Sequence, residues 1–118
     1  MAAPVTWFEI ISRNSVALGD FYAKTFGWKL EPFPGDAPYA VVETGGENAI
    51  RGGIGEADGP NRIIVYIEVD DPQAYLDRVE KAGGKVVVPV TTIPEVVTYA
   101  HFADPEGNIV GIVKAGAP

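Results

Sequence analysis

The chain has no cysteine, a single histidine, one methionine and only nine lysines and arginines among its 118 residues. Without thiols it can build neither a disulfide framework nor a thiolate metal site, and cysteine nucleophiles are excluded. The nine basic residues are scattered singly, and sixteen acidic residues leave a net charge of −7. That balance argues against nucleic acid, whose binders present clustered lysine and arginine. No apolar run approaches a membrane span; Val86 to Val88 is strand-sized. The start, Met1-Ala2-Ala3-Pro4-Val5, has neither the basic nor the apolar region of a signal peptide. These absences predict a cytoplasmic protein with no membrane partner.

What is present is a 47% apolar chain long enough for one self-sufficient core, so residues 1–118 are read as a single domain. Within it the sequence runs twice through one plan. Trp7-Phe8-Glu9-Ile10 is echoed by Tyr66-Ile67-Glu68-Val69, and each is followed by a helix signal. The first helix opens at Asn14-Ser15 and places Leu18, Phe21, Tyr22 and Phe26 at helical spacing. The second has Asp71 as its N-cap and Pro72 at its first position, then Tyr75, Leu76, Val79 and Ala82. Both stop at glycine, Gly27 and Gly83-Gly84, the residue that accepts a left-handed C-terminal cap without strain.

After each helix come a strand entered through lysine, a proline-bearing loop and a strand opening at Tyr39 or Tyr99. An Asn-exit turn and a closing strand follow. The closing strands are Ala49-Ile50-Arg51 and Ile109 to Val113. Gly52-Gly53-Ile54-Gly55 reads as flexible chain leading into the linker Gly55 to Asn61, since it lacks the Gly-Lys-Ser/Thr element of a phosphate loop. The fold class is therefore α+β: two βαβββ modules, about 4–55 and 61–115. Strand alternation sets Phe8, Ile10, Val65, Ile67 and Val69 under the helices. It sets Trp7, Glu9, Ile64, Tyr66 and Glu68 on the opposite face, an aromatic and acidic mixture suited to a ligand cleft.

The residues Trp7 to Ile10, Asp20 to Trp28, Val79 to Val86 and Phe102-Ala103-Asp104-Pro105-Glu106-Gly107-Asn108 together resemble the vicinal oxygen chelate superfamily. That group contains glyoxalase I, extradiol dioxygenases and bleomycin-resistance proteins. The resemblance covers essentially the whole chain. It implies paired modules forming a U-shaped mixed or antiparallel sheet with helices on the outer face, a small-molecule cleft between modules and a homodimer. It also implies a divalent metal held by His or Glu on four strands. The corresponding positions here fall on Trp7, Ile64, Gly111 and Arg51 or Gly52. None of these side chains is a metal ligand, so no metal and no other cofactor is expected.

Several residues carry two readings. Glu9 and Glu68 could share a proton as acid and base, or could be solvated residues at the cleft rim. His101, the one side chain titrating near neutrality, could shuttle a proton or could lie at the surface or core edge; its facing is open. Trp7 and Tyr66 could stack on a flat or cationic ligand or simply pack. Arg51 could grip a carboxylate or stand in solvent. The leading expectation is metal-free binding of a small organic ligand, drug-like or cationic, by Trp7, Glu9, Ile64, Tyr66, Glu68 and Arg51. The alternative is an isomerase, epimerase or cyclase using Glu9, Glu68 or His101.

Overall fold

Capping chemistry sets where the two helices start and stop. The computed structural model describes residues 2–35, 38–57 and 59–116. β1 (Val5–Ser12), α1 (Ser15–Phe26), β2 (Lys29–Pro32), β3 (Tyr39–Glu43) and β4 (Arg51–Glu56) form the first βαβββ series. β5 (Arg62–Val69), α2 (Pro72–Lys81), β6 (Lys85–Ile93), β7 (Val97–Ala103) and β8 (Ile109–Lys114) repeat it. The strand order is β2-β3-β4-β1 in the first and β6-β7-β8-β5 in the second. In each, the first and last strands pair in parallel and the other pairs are antiparallel. The class is α+β with mixed strand pairing.

The chain gathers into two compact units, Trp7–Ile64 and a second built of Met1–Thr6 with Val65–Pro118. The opening residues thus serve the later module. Ala3 packs against its core, and the Pro4 carbonyl accepts the Glu68 N–H at 2.8 Å.

The caps act as the sequence indicates. The Asn14 side chain accepts from the Ala17 N–H and the Asp71 side chain from the Ala74 N–H. Each satisfies one of the orphan donors of a helix start. α1 ends at Gly27 with φ 74°, and the α2 stop places Gly83 at φ 101°.

In the first module Ile10, Val42 and Ile54 are buried beneath α1, with Phe8, Leu18, Tyr22, Trp28 and Leu30 packed against them. Tyr22 stacks on Trp28, centroids 4.8 Å apart and planes 8° apart. Two expected members of that helix face differ: Phe21 and Phe26 are more than half exposed. The core side of α1 is narrow, because Gly19 brings the helix so close to Leu30 that a Cβ there would lie 2.5 Å from it. In the second module Val69, Leu76, Ala100 and Ile112 are buried, with Ile67, Tyr75, Val86 and Phe102 against them. Val65 is exposed rather than covered.

Two local readings are corrected. Gly52-Gly53-Ile54-Gly55 is not flexible linker but the buried middle of β4. Its glycines are required by bulk on neighbouring strands: a Cβ at Gly52 would meet the Phe8 ring at 2.4 Å, and one at Gly53 the Tyr39 hydroxyl at 1.8 Å. β6 runs through Pro89 to Ile93 instead of ending before a proline loop. It borders β7 alone, at the end of the strand order, and shifts register on both sides of Val88. An edge strand with bulges tolerates a residue that lacks an N–H.

Candidate functional site

Pairing registers lay out the face of the first module that is turned away from α1 as three rows across β2, β3, β4 and β1. The first row is Lys29, Glu43, Arg51 and Trp7, the second Glu31, Val41, Gly53 and Glu9. The third continues through Tyr39, Gly55 and Ile11. Side chains two apart along a strand share a face, so the rows stand on one surface. A hollow of about 530 Å³ opens over the β2 and β3 side of it, bordered by Lys29, Glu31, Phe33, Val41, Glu43 and Arg51 and ending short of Trp7, Glu9 and Tyr39.

Tyr39 organises this face. Its ring lies over the bare backbone of Gly53 and Gly55, and its hydroxyl donates to Glu9 Oε2 at 2.9 Å. Trp7 stands two residues before Glu9 on the same face of β1. Burial, then the adjacent Glu9 carboxylate, push the Tyr39 hydroxyl far above its ordinary pKa. The phenol therefore remains a hydrogen-bond donor throughout the physiological range. Tyr39 and Glu9 form a hydrogen-bonded pair that presents a carboxylate on the face that also carries Trp7.

Arg51 is a surface residue held by a neighbour. Its Nε lies 2.9 Å from Glu43 Oε1, with both side chains more than half exposed. An acid bound by Arg51 must compete with Glu43.

The second module carries a different arrangement on the face away from α2. Tyr66 and His101, both buried, meet Oη to Nε2 at 2.7 Å, the tautomer of the imidazole deciding which group donates. The Tyr66 ring rests on Gly111, where a Cβ would fall 2.4 Å from it. Tyr99 flanks His101 with ring centroids 5.6 Å apart. His101 thus faces away from the helix, which settles its orientation. Glu68 is half-buried on this face of β5, opposite Val113. Ile64 is buried, at 1% exposure.

The ladder also corrects the internal alignment. Ile10 lies opposite Ile54 as Ile67 lies opposite Ile112, and Glu9 opposite Gly53 as Tyr66 opposite Gly111. Glu9 therefore matches Tyr66, and Glu68 matches Ile11. The two glutamates are not equivalent positions of the repeat.

The places where the resemblance would put metal ligands do not fit a divalent ion. Trp7 presents an indole, Ile64 a buried aliphatic chain, and Gly111 lies under a phenol ring. Gly52 is covered by Phe8, and Arg51 brings a positive charge already engaged by Glu43. Among the described residues no group of three or more His, Cys, Asp or Glu side chains is placed to hold a metal. Nor is any described helix long and apolar enough to cross a membrane.

Paired βαβββ modules with this topology define a glyoxalase-type scaffold. The model of the glyoxalase-like domain matches residues 8–113, and the chain belongs to that family. It is 28% identical over 116 residues to CFP32 of Mycobacterium tuberculosis, covering 92% of this chain and 44% of that one. It is also 28% identical over 127 residues to DnrV, an anthracycline biosynthesis protein of Streptomyces peucetius, covering 93% and 46%. The chain thus spans less than half the length of these two relatives. The fold is shared with methylmalonyl-CoA epimerase of Streptomyces coelicolor, with a TM-score of 0.75 at 13% identity over 99% of this chain and all of that one.

Proposed function

We propose that the protein binds a small, flat organic molecule carrying a basic nitrogen on the three-row face of the first module, without a metal. The observation that carries this is the Tyr39–Glu9 hydrogen bond on the face that also carries Trp7. It holds a carboxylate in fixed geometry beside an indole, and cations are drawn both to carboxylates and to indole faces. The open hollow on the same face gives room for the rest of the molecule. The net charge of −7 favours approach of a cation. A relative named for anthracycline biosynthesis supports a small organic ligand.

Isothermal titration with proflavine, a planar cation, tests the reading. Saturable binding is expected, weakened roughly tenfold by Trp7→Ala or Glu9→Gln. Binding unchanged in both variants, or none to the unmodified protein, overturns it.

A second reading rests on the Tyr66–His101 contact. A buried imidazole against a phenol can pass a proton, which supports a metal-free isomerase or epimerase in which His101 is the acid or base. His101→Gln and Tyr66→Phe would each then depress turnover of a substrate found by screening; unaffected turnover removes the reading.

A further inference from the structure

The charges on the first-module face are sorted by row. In the first row Lys29 and Arg51 flank the single carboxylate of Glu43. In the second, both charged members, Glu31 and Glu9, are carboxylates. The rows lie two residues apart along the strands, about 7 Å at ordinary strand rise. Between and beside them are the uncharged Val41, Gly53 and Trp7. The hollow touches both rows, being bordered by Lys29, Glu43 and Arg51 of one and by Glu31 and Val41 of the other.

We infer that the ligand is amphoteric: a planar body with an acid group at one end and a basic nitrogen at the other, about 7 Å apart. This inference rests on the proposed binding of a basic ligand at the same face and adds its acidic end. The basic nitrogen meets Glu9, whose carboxylate the Tyr39 hydroxyl fixes. The acid meets Arg51, with Lys29 in the same row. Arg51 reaches Glu43 through its Nε. A guanidinium has further N–H donors in its fork, so a ligand carboxylate can be accepted beside Glu43 or can replace it. Opposite ends of the ligand meeting opposite rows fix one orientation on the sheet. That selectivity follows from charge placement rather than from pocket shape.

The test uses three related probes that share a benzene ring: 4-(aminomethyl)benzoate, benzylamine and benzoate. Dissociation constants are measured by ligand-observed and protein-observed NMR on the full chain. Binding of 4-(aminomethyl)benzoate at least tenfold tighter than either single-charge probe supports the inference. Arg51→Gln should then reduce it to the benzylamine level. Glu9→Gln should reduce it to the benzoate level. Circular dichroism confirms that both variants fold. If benzylamine binds as tightly as the zwitterion, or Arg51→Gln leaves the zwitterion's affinity unchanged, the acidic end is wrong while the basic-ligand reading stands. If the zwitterion and benzoate bind alike and benzylamine not at all, both readings fail. They also fail if no probe binds.

Discussion

The ring of Tyr66 lies against Gly111, its partner across the parallel β5–β8 ladder, and a Cβ on that glycine would fall 2.4 Å from the ring. The seat exists only because residue 111 has no side chain. Gly111→Ala should therefore lift the phenol and break its 2.7 Å contact with His101. Overpacking of this kind together with a lost buried hydrogen bond costs about 2 kcal/mol. Urea denaturation measures it. A stability within a few tenths of a kcal/mol of the parent would show that the ring relocates freely.

Tyr39 gives an alkaline prediction. Its hydroxyl is pushed above the ordinary value of 10.0 by burial first and the Glu9 carboxylate second. The folded state thus holds this proton more tightly than the unfolded chain. The stability it contributes is complete below pH 10 and falls as pH rises beyond it. Absorbance at 295 nm should show a tyrosine that ionises only with alkaline unfolding and that is absent from Tyr39→Phe. In Glu9→Gln that phenol should titrate earlier, because the carboxylate's repulsion is gone while burial remains.

At the acid end, Asp104 organises the turn before β8. Its carboxylate accepts from the Asn108 side chain, from the Asn108 N–H and from the Glu106 N–H, each at 2.9 Å. These bonds, that of the Asn108 side chain foremost, lower its pKa below 3.8. A lowered folded pKa stabilises above the unfolded value, and the gain is lost as pH falls through the folded value. Asp104→Asn should melt below the parent at pH 7, and the gap should narrow as the solution is taken below pH 3.8. A constant gap would assign the role of Asp104 to something other than its charge.

Gly83 stands at φ 101° where α2 turns into β6. A β-branched side chain is strained there, so Gly83→Val should cost 1 kcal/mol or more, on the order of other backbone-strain substitutions. Thermal melting checks it, and an unchanged Tm would contradict the cap.

Much of this architecture is legible in the residues. Asn14, Asp71-Pro72, Gly27 and Gly83 announce where helices begin and end through local hydrogen bonding, which sequence records directly. The strand faces are legible too, because alternation has a period of two. That same period hides the ladder offset. A slip of one residue exchanges the buried and exposed faces, but a slip of two preserves them, so apolar pattern cannot tell whether Glu9 matches Glu68 or Tyr66. The glycines of β4 mislead for another reason. Glycine signals freedom when considered alone, and only the partners across the ladder, Phe8 and Tyr39, show that it supplies room. Tyr39 itself, with Lys29, Glu31 and Glu43, escaped the candidate site residues. Its tie to Glu9 spans 30 positions, and the one hint was a bulky residue opening a strand that would face a glycine-rich one.

In each module one edge strand, β2 or β6, carries a consequence for behaviour at high concentration. β2 ends in Pro32 and β6 contains Pro89 beside two register breaks. A neighbouring molecule adding itself alongside either strand would find an amide missing and, at β6, a bent template. Stacking into cross-β fibres is thereby obstructed along β2 and β6, where a flat, proline-free edge would seed it.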